Sequence, residues 1–174
     1  MITLSNGKRF EFMIASGMMG FDGRGPTSFH KALYDTLKIT GLFNSSLFTI
    51  VTKTITLFPK EGPKQVRPIK GGWWNNWGLD NPGVYGFIKK YGQEIKRKKN
   101  LIISIAGIRD EIRHIMIALL SEFTNLVAIE YNVSCPNDIR IGAKEVIGIS
   151  KYLADSFDIP IILKVGQVSN HYLE

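Results

Sequence analysis

The sequence holds one cysteine, three histidines and no unbroken apolar stretch near the roughly 20 residues of a membrane-crossing helix. Cys135 alone can form no internal disulfide, and without a second thiol it enters no thiolate zinc cluster. His30, His114 and His171 are scattered without metal-ligand spacing, so no metal site is expected. The N-terminus lacks the basic, apolar and small-residue order of a secretory leader, which reads as a cytoplasmic protein with no membrane association. The segment from Gly17 to Gly25 is rich in glycine but lacks the GxGxxG order, which argues against a dinucleotide loop. No repeat, low-complexity tract or linker divides the 174 residues, so 1–174 reads as a single domain.

What is present is the composition of an ordinary globular chain: 44% hydrophobic, 21% charged, with a mean hydropathy of +0.01. Lysine and arginine number 22 against 15 acidic residues, a net charge of +7 that suits an anionic ligand, a nucleic acid or simple solubility. The densest cluster, Lys96-Arg97-Lys98-Lys99, has no interleaved aromatics and reads as a solvated loop. Nucleic acid is therefore not the expected partner.

Five strand-sized apolar runs recur along the chain: Phe12 to Ser16, Leu47 to Thr52, Leu101 to Ile105, Leu126 to Tyr131 and Pro160 to Val165. Each is nearly continuous in Ile, Val, Leu and Phe, the pattern of parallel strands buried on both faces. Between the third and fourth runs, Ile108, Ile112, Ile115, Met116, Leu119 and Phe123 mark an amphipathic helix; Val146, Ile149, Leu153 and Phe157 mark another between the fourth and fifth. Helices are also expected over 28–37 and 84–96. The alternation predicts an α/β fold. The stretch from Thr54 to Pro82 is a long excursion rich in proline and glycine that carries Trp73, Trp74 and Trp77, whose clustering suggests packing against something.

Ligands in such folds gather where parallel strands end. There the sequence places Ala15-Ser16-Gly17, Thr52-Lys53-Thr54, Ser104-Ile105-Ala106-Gly107, Asn132 to Asn137, and Lys164-Val165-Gly166. Lys53 and Lys164 each follow buried-type residues, and an ammonium there must meet an anion, lose its proton or reach solvent. Two at equivalent strand ends suggest one shared anionic ligand. Cys135 follows a strand between the amides Asn132 and Asn137, which suit the edges of an amide or imide; nearby lysines would favour its thiolate.

The order and spacing of these elements resemble dihydroorotate dehydrogenase. The residues that carry the likeness are Ala15-Ser16-Gly17, Thr52 to Leu57, Asn75-Asn76-Trp77-Gly78-Leu79-Asp80-Asn81-Pro82-Gly83, Ser104 to Gly107, Asn132-Val133-Ser134-Cys135-Pro136-Asn137 and Leu163-Lys164-Val165. The resemblance implies a (β/α)8 TIM-barrel fold, flavin mononucleotide (FMN) as cofactor, and oxidation of dihydroorotate to orotate in pyrimidine biosynthesis. It implies Cys135 as the base that removes the C5 proton while hydride leaves C6 for the flavin, and a cysteine at that position looks like the soluble class 1 enzymes. It further implies substrate binding by Lys53, Asn75, Gly78, Leu79, Asn132 and Asn137, and cofactor binding by Ala15, Ser16, Gly17, Lys53, Thr54, Asn132 and Lys164. The tryptophan-bearing excursion would form a wall or lid over the substrate.

A whole barrel takes about 250 residues. The expectation is thus the N-terminal portion of such a barrel, about five β/α units, without the late loops that usually hold the flavin phosphate. An open five-stranded sheet implies self-association or a completing C-terminal chain. Two other readings remain open: a flavin domain like that of dihydropyrimidine dehydrogenase, and a non-catalytic or RNA-binding relative of the dihydrouridine synthases.

Overall fold

The computed structural model describes residues 2–25, 27–42, 48–99, 101–134 and 141–166. Nine strands and four helices are found among them, in the order β1 (Ile2–Thr3), β2 (Arg9–Phe10), β3 (Phe12–Ile14), α1 (Ser28–Ile39), β4 (Phe48–Val51), β5 (Gln65–Ile69), β6 (Gly72–Asn76), α2 (Gly83–Lys96), β7 (Leu101–Ile105), α3 (Arg109–Glu122), β8 (Ala128–Asn132), α4 (Ala143–Ser156) and β9 (Ile161–Lys164). The five apolar runs became β3, β4, β7, β8 and β9. They form one wholly parallel sheet in sequence order, each strand pairing with the next, as in the curled sheet of a β/α barrel. The expected incomplete TIM-barrel fold of about five units is what the strand order gives.

Helix and strand faces meet by their own periodicities. On α3, Ile112, Ile115, Met116 and Leu119 are fully buried and pack with Ile103, Ile105 and Ile129, alternate residues of the central strands. Each such side chain contributes about 1.5–3 kcal/mol of apolar burial. The other set of alternate residues faces the barrel interior, where Val51, Ile102, Val127 and Ala128 pack with Leu4 and Ile162. That cluster is closed from below by the β1–β2 hairpin, whose turn residues Asn6 and Lys8 donate to the carbonyls of Val127 and Leu126 at 3.2 and 3.3 Å.

Three expectations need correction. Only the inner strands are buried on both faces; on the outer strands Phe12 (55% exposed), Met13 (39%) and Leu163 (39%) are open, because an edge strand has a neighbour on one side alone. The excursion is not all loop: β5 and β6 pair as an antiparallel hairpin through Lys70-Gly71. Trp74 and Trp77 do not enter the core. Trp74 stacks on Arg67 at 4.6 Å within that hairpin, and Trp77 is 39% exposed. Among the described residues no helix is long and apolar enough to cross a membrane, and no cluster of metal-ligating side chains occurs.

Candidate active site

Along each strand the inward-facing residue changes character toward the carboxyl end. Val51 gives way to Lys53, Ile102 to Ser104, Ala128 to Glu130 and Asn132, and Ile162 to Lys164. The apolar lower layer is thus topped by a polar one, and above it opens a cavity of about 650 Å³. Its walls include Ala15, Ser16, Gly17, Lys53, Thr54, Gly78, Leu79, Asn132, Ser134 and Lys164, drawn from the ends of β3, β4, β8 and β9 and from the loop before α2. That volume lies within the range of small-molecule sites.

Two cations meet there. Lys53 donates to the Asp80 carbonyl, and its ammonium stands 5.4 Å from the centre of the Phe21 ring. Burial lowers its pKa; the Asp80 carboxylate partly opposes this, and the nearby Lys64 ammonium adds to it. Lys164 lies beside Asn132 in register and donates to Ser16 Oγ at 2.5 Å. A third cation, Lys31, reaches the rim from α1 but is ion-paired with Asp22.

The Asp80 carbonyl is held in place by Asn81. This buried side chain accepts from the backbone N–H of Thr56 at 3.1 Å and of Gly83 at 2.9 Å, and donates to Leu79 O at 2.6 Å and Thr56 Oγ1 at 3.0 Å. It therefore ties the segment after β4 to the turn that opens α2. Gly83 itself has φ +71, and a Cβ there would sit 2.8 Å from Pro59 N. Only glycine suits that backbone.

Asn132 is buried and its amide is oriented by its bonds. Oδ1 accepts from Ser134 N at 3.0 Å and Ser134 Oγ at 2.6 Å, while Nδ2 donates to Thr54 Oγ1 at 2.8 Å.

Two sequence comparisons show what the chain is similar to. The sequence model of the family described as Dihydroorotate dehydrogenase matches residues 11–157. The chain belongs to the dihydroorotate dehydrogenase family. The catalytic subunit of dihydroorotate dehydrogenase B (NAD(+)) from Desulforamulus reducens is 31% identical over 135 residues, 70% of this chain and 43% of the relative. The corresponding subunit from Endomicrobium trichonymphae is 36% identical over 128 residues, 67% of this chain and 40% of the relative. A putative dihydroorotate dehydrogenase A (fumarate) of Streptococcus agalactiae serotype Ia is 32% identical over 105 residues, 58% of this chain and 34% of the relative. The chain spans less than half the length of these dihydroorotate dehydrogenase relatives.

Of the residues that the sequence resemblance singled out, the fold brings Ala15, Ser16, Gly17, Lys53, Thr54, Gly78, Leu79, Asn132 and Lys164 to one cavity. Asn75 is on β6 opposite Val66, its side chain outside the description; Cys135 and Asn137 lie outside the described residues. Sequence reasoning missed Phe21, Asp80 and Tyr91, which also line the cavity, as does Trp77 of the excursion expected to wall the substrate. Phe21 and Tyr91 stack at 5.3 Å to form one aromatic flank. They come from a loop and a helix, so no strand-end pattern marks them. For Asp80 a signal existed, since it lies inside the Asn75–Gly83 motif, but its backbone rather than its side chain meets Lys53.

Proposed function

We propose that this chain supplies the strand-end half of a cytoplasmic, FMN-dependent dihydroorotate dehydrogenase that makes orotate in pyrimidine biosynthesis. The observation that carries the proposal is the convergence of Lys53, Asn132 and Lys164 from three strands on one cavity, in a chain of this family. Orotate is a flat anion with imide edges. Fixed amides match such edges, and an ammonium balances a carboxylate.

The residues present suit a flavin ring. Ala15, Ser16 and Gly17 make a low wall, and Gly17, at φ +86 and without a Cβ, leaves the backbone open to close approach. When bound, FMN accepts the hydride leaving C6 of dihydroorotate. Ala15, Ser16, Gly17, Thr54, Asn132 and Lys164 hold the cofactor, and Lys53 reaches both cofactor and substrate. Asn75, Gly78, Leu79, Asn132 and Asn137 bind the substrate. Cys135, next in sequence to the cavity residue Ser134, takes the C5 proton as a thiolate. The ammonium groups of Lys53 and Lys164 give the cavity a positive field that favours anionic ligands. Half-buried, the Lys53 ammonium is less screened by water than an exposed one, although the same burial lowers its pKa. Among the described residues β3 and β9 are the edges of the sheet, which favours association with a second copy or a completing chain.

Calorimetric titration of the purified protein with orotate, uracil and a short RNA tests the reading, together with flavin bleaching by dihydroorotate. Orotate binding that excludes uracil, with bleaching lost in Cys135→Ala, is the expected result. Uracil preference would point to a dihydropyrimidine dehydrogenase-like site. Salt-sensitive RNA binding without flavin would overturn the proposal.

A further inference from the structure

Beneath the cavity floor lies a line of buried polar side chains separate from the hydrogen bonds of Lys53 and Lys164. Asn132 Nδ2 donates to Thr54 Oγ1; Thr54 Oγ1 and Ser104 Oγ are 2.9 Å apart; Ser104 Oγ donates to Glu130 Oε1 at 2.7 Å. Ser104 and Glu130 are 0% and 2% exposed, Thr54 and Asn132 both 5%. Ser104 N is separately committed to Thr52 Oγ1 at 3.1 Å. A carboxyl group two residues below the cavity on a strand of otherwise apolar and amide character is costly to bury, so its bond to Ser104 has to be made.

The donor inventory gives the line a direction. Ser134 N can only donate, so the Asn132 atom facing it is the oxygen and the atom facing Thr54 is the nitrogen. Thr54 Oγ1 receives that N–H and turns its own proton to Ser104 Oγ. Ser104 Oγ, receiving from Thr54, turns its proton to the carboxylate. Every hydroxyl then accepts once and donates once, and each bond polarises the next.

We propose that Glu130 is a positioning residue that acts on the ligand through Ser104, Thr54 and Asn132. The carboxylate anchors the line, the line fixes the Asn132 amide, and the amide offers the cavity one N–H while its oxygen stays engaged with Ser134. The site is thereby selective for a ligand that presents a carbonyl or carboxylate oxygen to Asn132, and hostile to one that presents an N–H there. This deepens the orotate reading and rests on it for the identity of the ligand.

The experiment uses the whole protein with two variants, Glu130→Gln, which keeps the shape and removes the charge, and Ser104→Ala, which cuts the middle of the line. Orotate affinity is measured by calorimetry. Solvent exchange of the Asn132 side-chain amide protons is followed by NMR, with the signal assigned by its loss in Asn132→Asp. Each variant is expected to weaken orotate about five- to tenfold and to speed amide exchange at least about tenfold, with the double variant no weaker than about the worse single. Unchanged exchange in both variants, or losses that multiply in the double variant, overturns the relay. Failure of the unaltered protein to bind orotate overturns the ligand reading alone, and the exchange rates then decide the relay.

Discussion

The change of Gly83 to alanine adds one methyl group where the fold has no room for it. The residue opens α2 at φ +71, and the new carbon would lie 2.8 Å from Pro59 N, 2.9 Å from Phe58 C and 3.0 Å from Leu57 O. All three neighbours are backbone, so no side chain can swing aside. The left-handed conformation costs about 1–2 kcal/mol for a residue with a Cβ, and overpacking adds about 1–3 kcal/mol. The sum, about 2–5 kcal/mol, lowers the midpoint of thermal unfolding by about 4–20 °C at roughly 2–4 °C per kcal/mol for a chain of this size. Gly148→Ala is the matched control. Gly148 is exposed in the middle of α4, with no atom within 4 Å of an added Cβ, so the same change there gains up to about 1 kcal/mol of helix propensity. Circular dichroism on heating measures both. A Gly83→Ala protein that melts with the unaltered one, or with Gly148→Ala, would refute the account of how the turn above Lys53 is built.

Asn81→Ala strips acceptors from the buried N–H groups of Thr56 and Gly83, and should cost about 2–5 kcal/mol in urea unfolding. Orotate binding should weaken with it, because Asp80 loses its support. Lys53→Met should change the pH dependence of stability. Burial lowers the folded-state pKa of Lys53 below its ordinary 10.5, so its penalty is absent above that pH and grows as pH falls through the lowered value. Melting profiles between neutral pH and pH 10.5 should therefore rise less steeply in the variant, while orotate affinity falls about tenfold or more for the lost charge-assisted bond. Tyr131→Phe removes the hydroxyl that donates to Gly107 O at 3.2 Å, for a loss of about 0.5–1.5 kcal/mol at neutral pH. Burial, and secondarily the Glu145 charge, raises that phenol's pKa, so the unaltered protein loses stability as pH climbs past about 10 and the variant loses less.

The parallel sheet was legible because its inner strands are apolar on both faces and need no partner to be recognised. Even the outer strands, half of whose surface is open, keep apolar residues, so exposure rather than identity was what the sequence hid. The β5–β6 hairpin was concealed by Pro68, which ordinarily argues against a strand. A two-stranded ribbon tolerates it because each of its strands is an edge. The β1–β2 hairpin is too short to show a period. In the site, Lys53 and Lys164 stood out as charges ending apolar runs. Glu130 sat inside the run Leu126 to Tyr131 and passed as part of a strand, since its meaning depends on Ser104 and Thr54 from neighbouring strands. Phe21 and Tyr91 meet only through tertiary packing.

The division of each inner strand into a greasy stem and a wet tip makes the function hostage to register. Side chains alternate with a period of two, so a slip of one residue in β9 would turn Leu163 inward and Lys164 outward, and the same slip in β8 would replace Asn132 with Tyr131. The four residue pairs that lock β7 to β8 from Ile102 upward, and the four that lock β8 to β9 from Ile129 upward, thus act as the alignment marks of the chemistry, and an error there would leave a well-packed sheet with the wrong groups at its mouth.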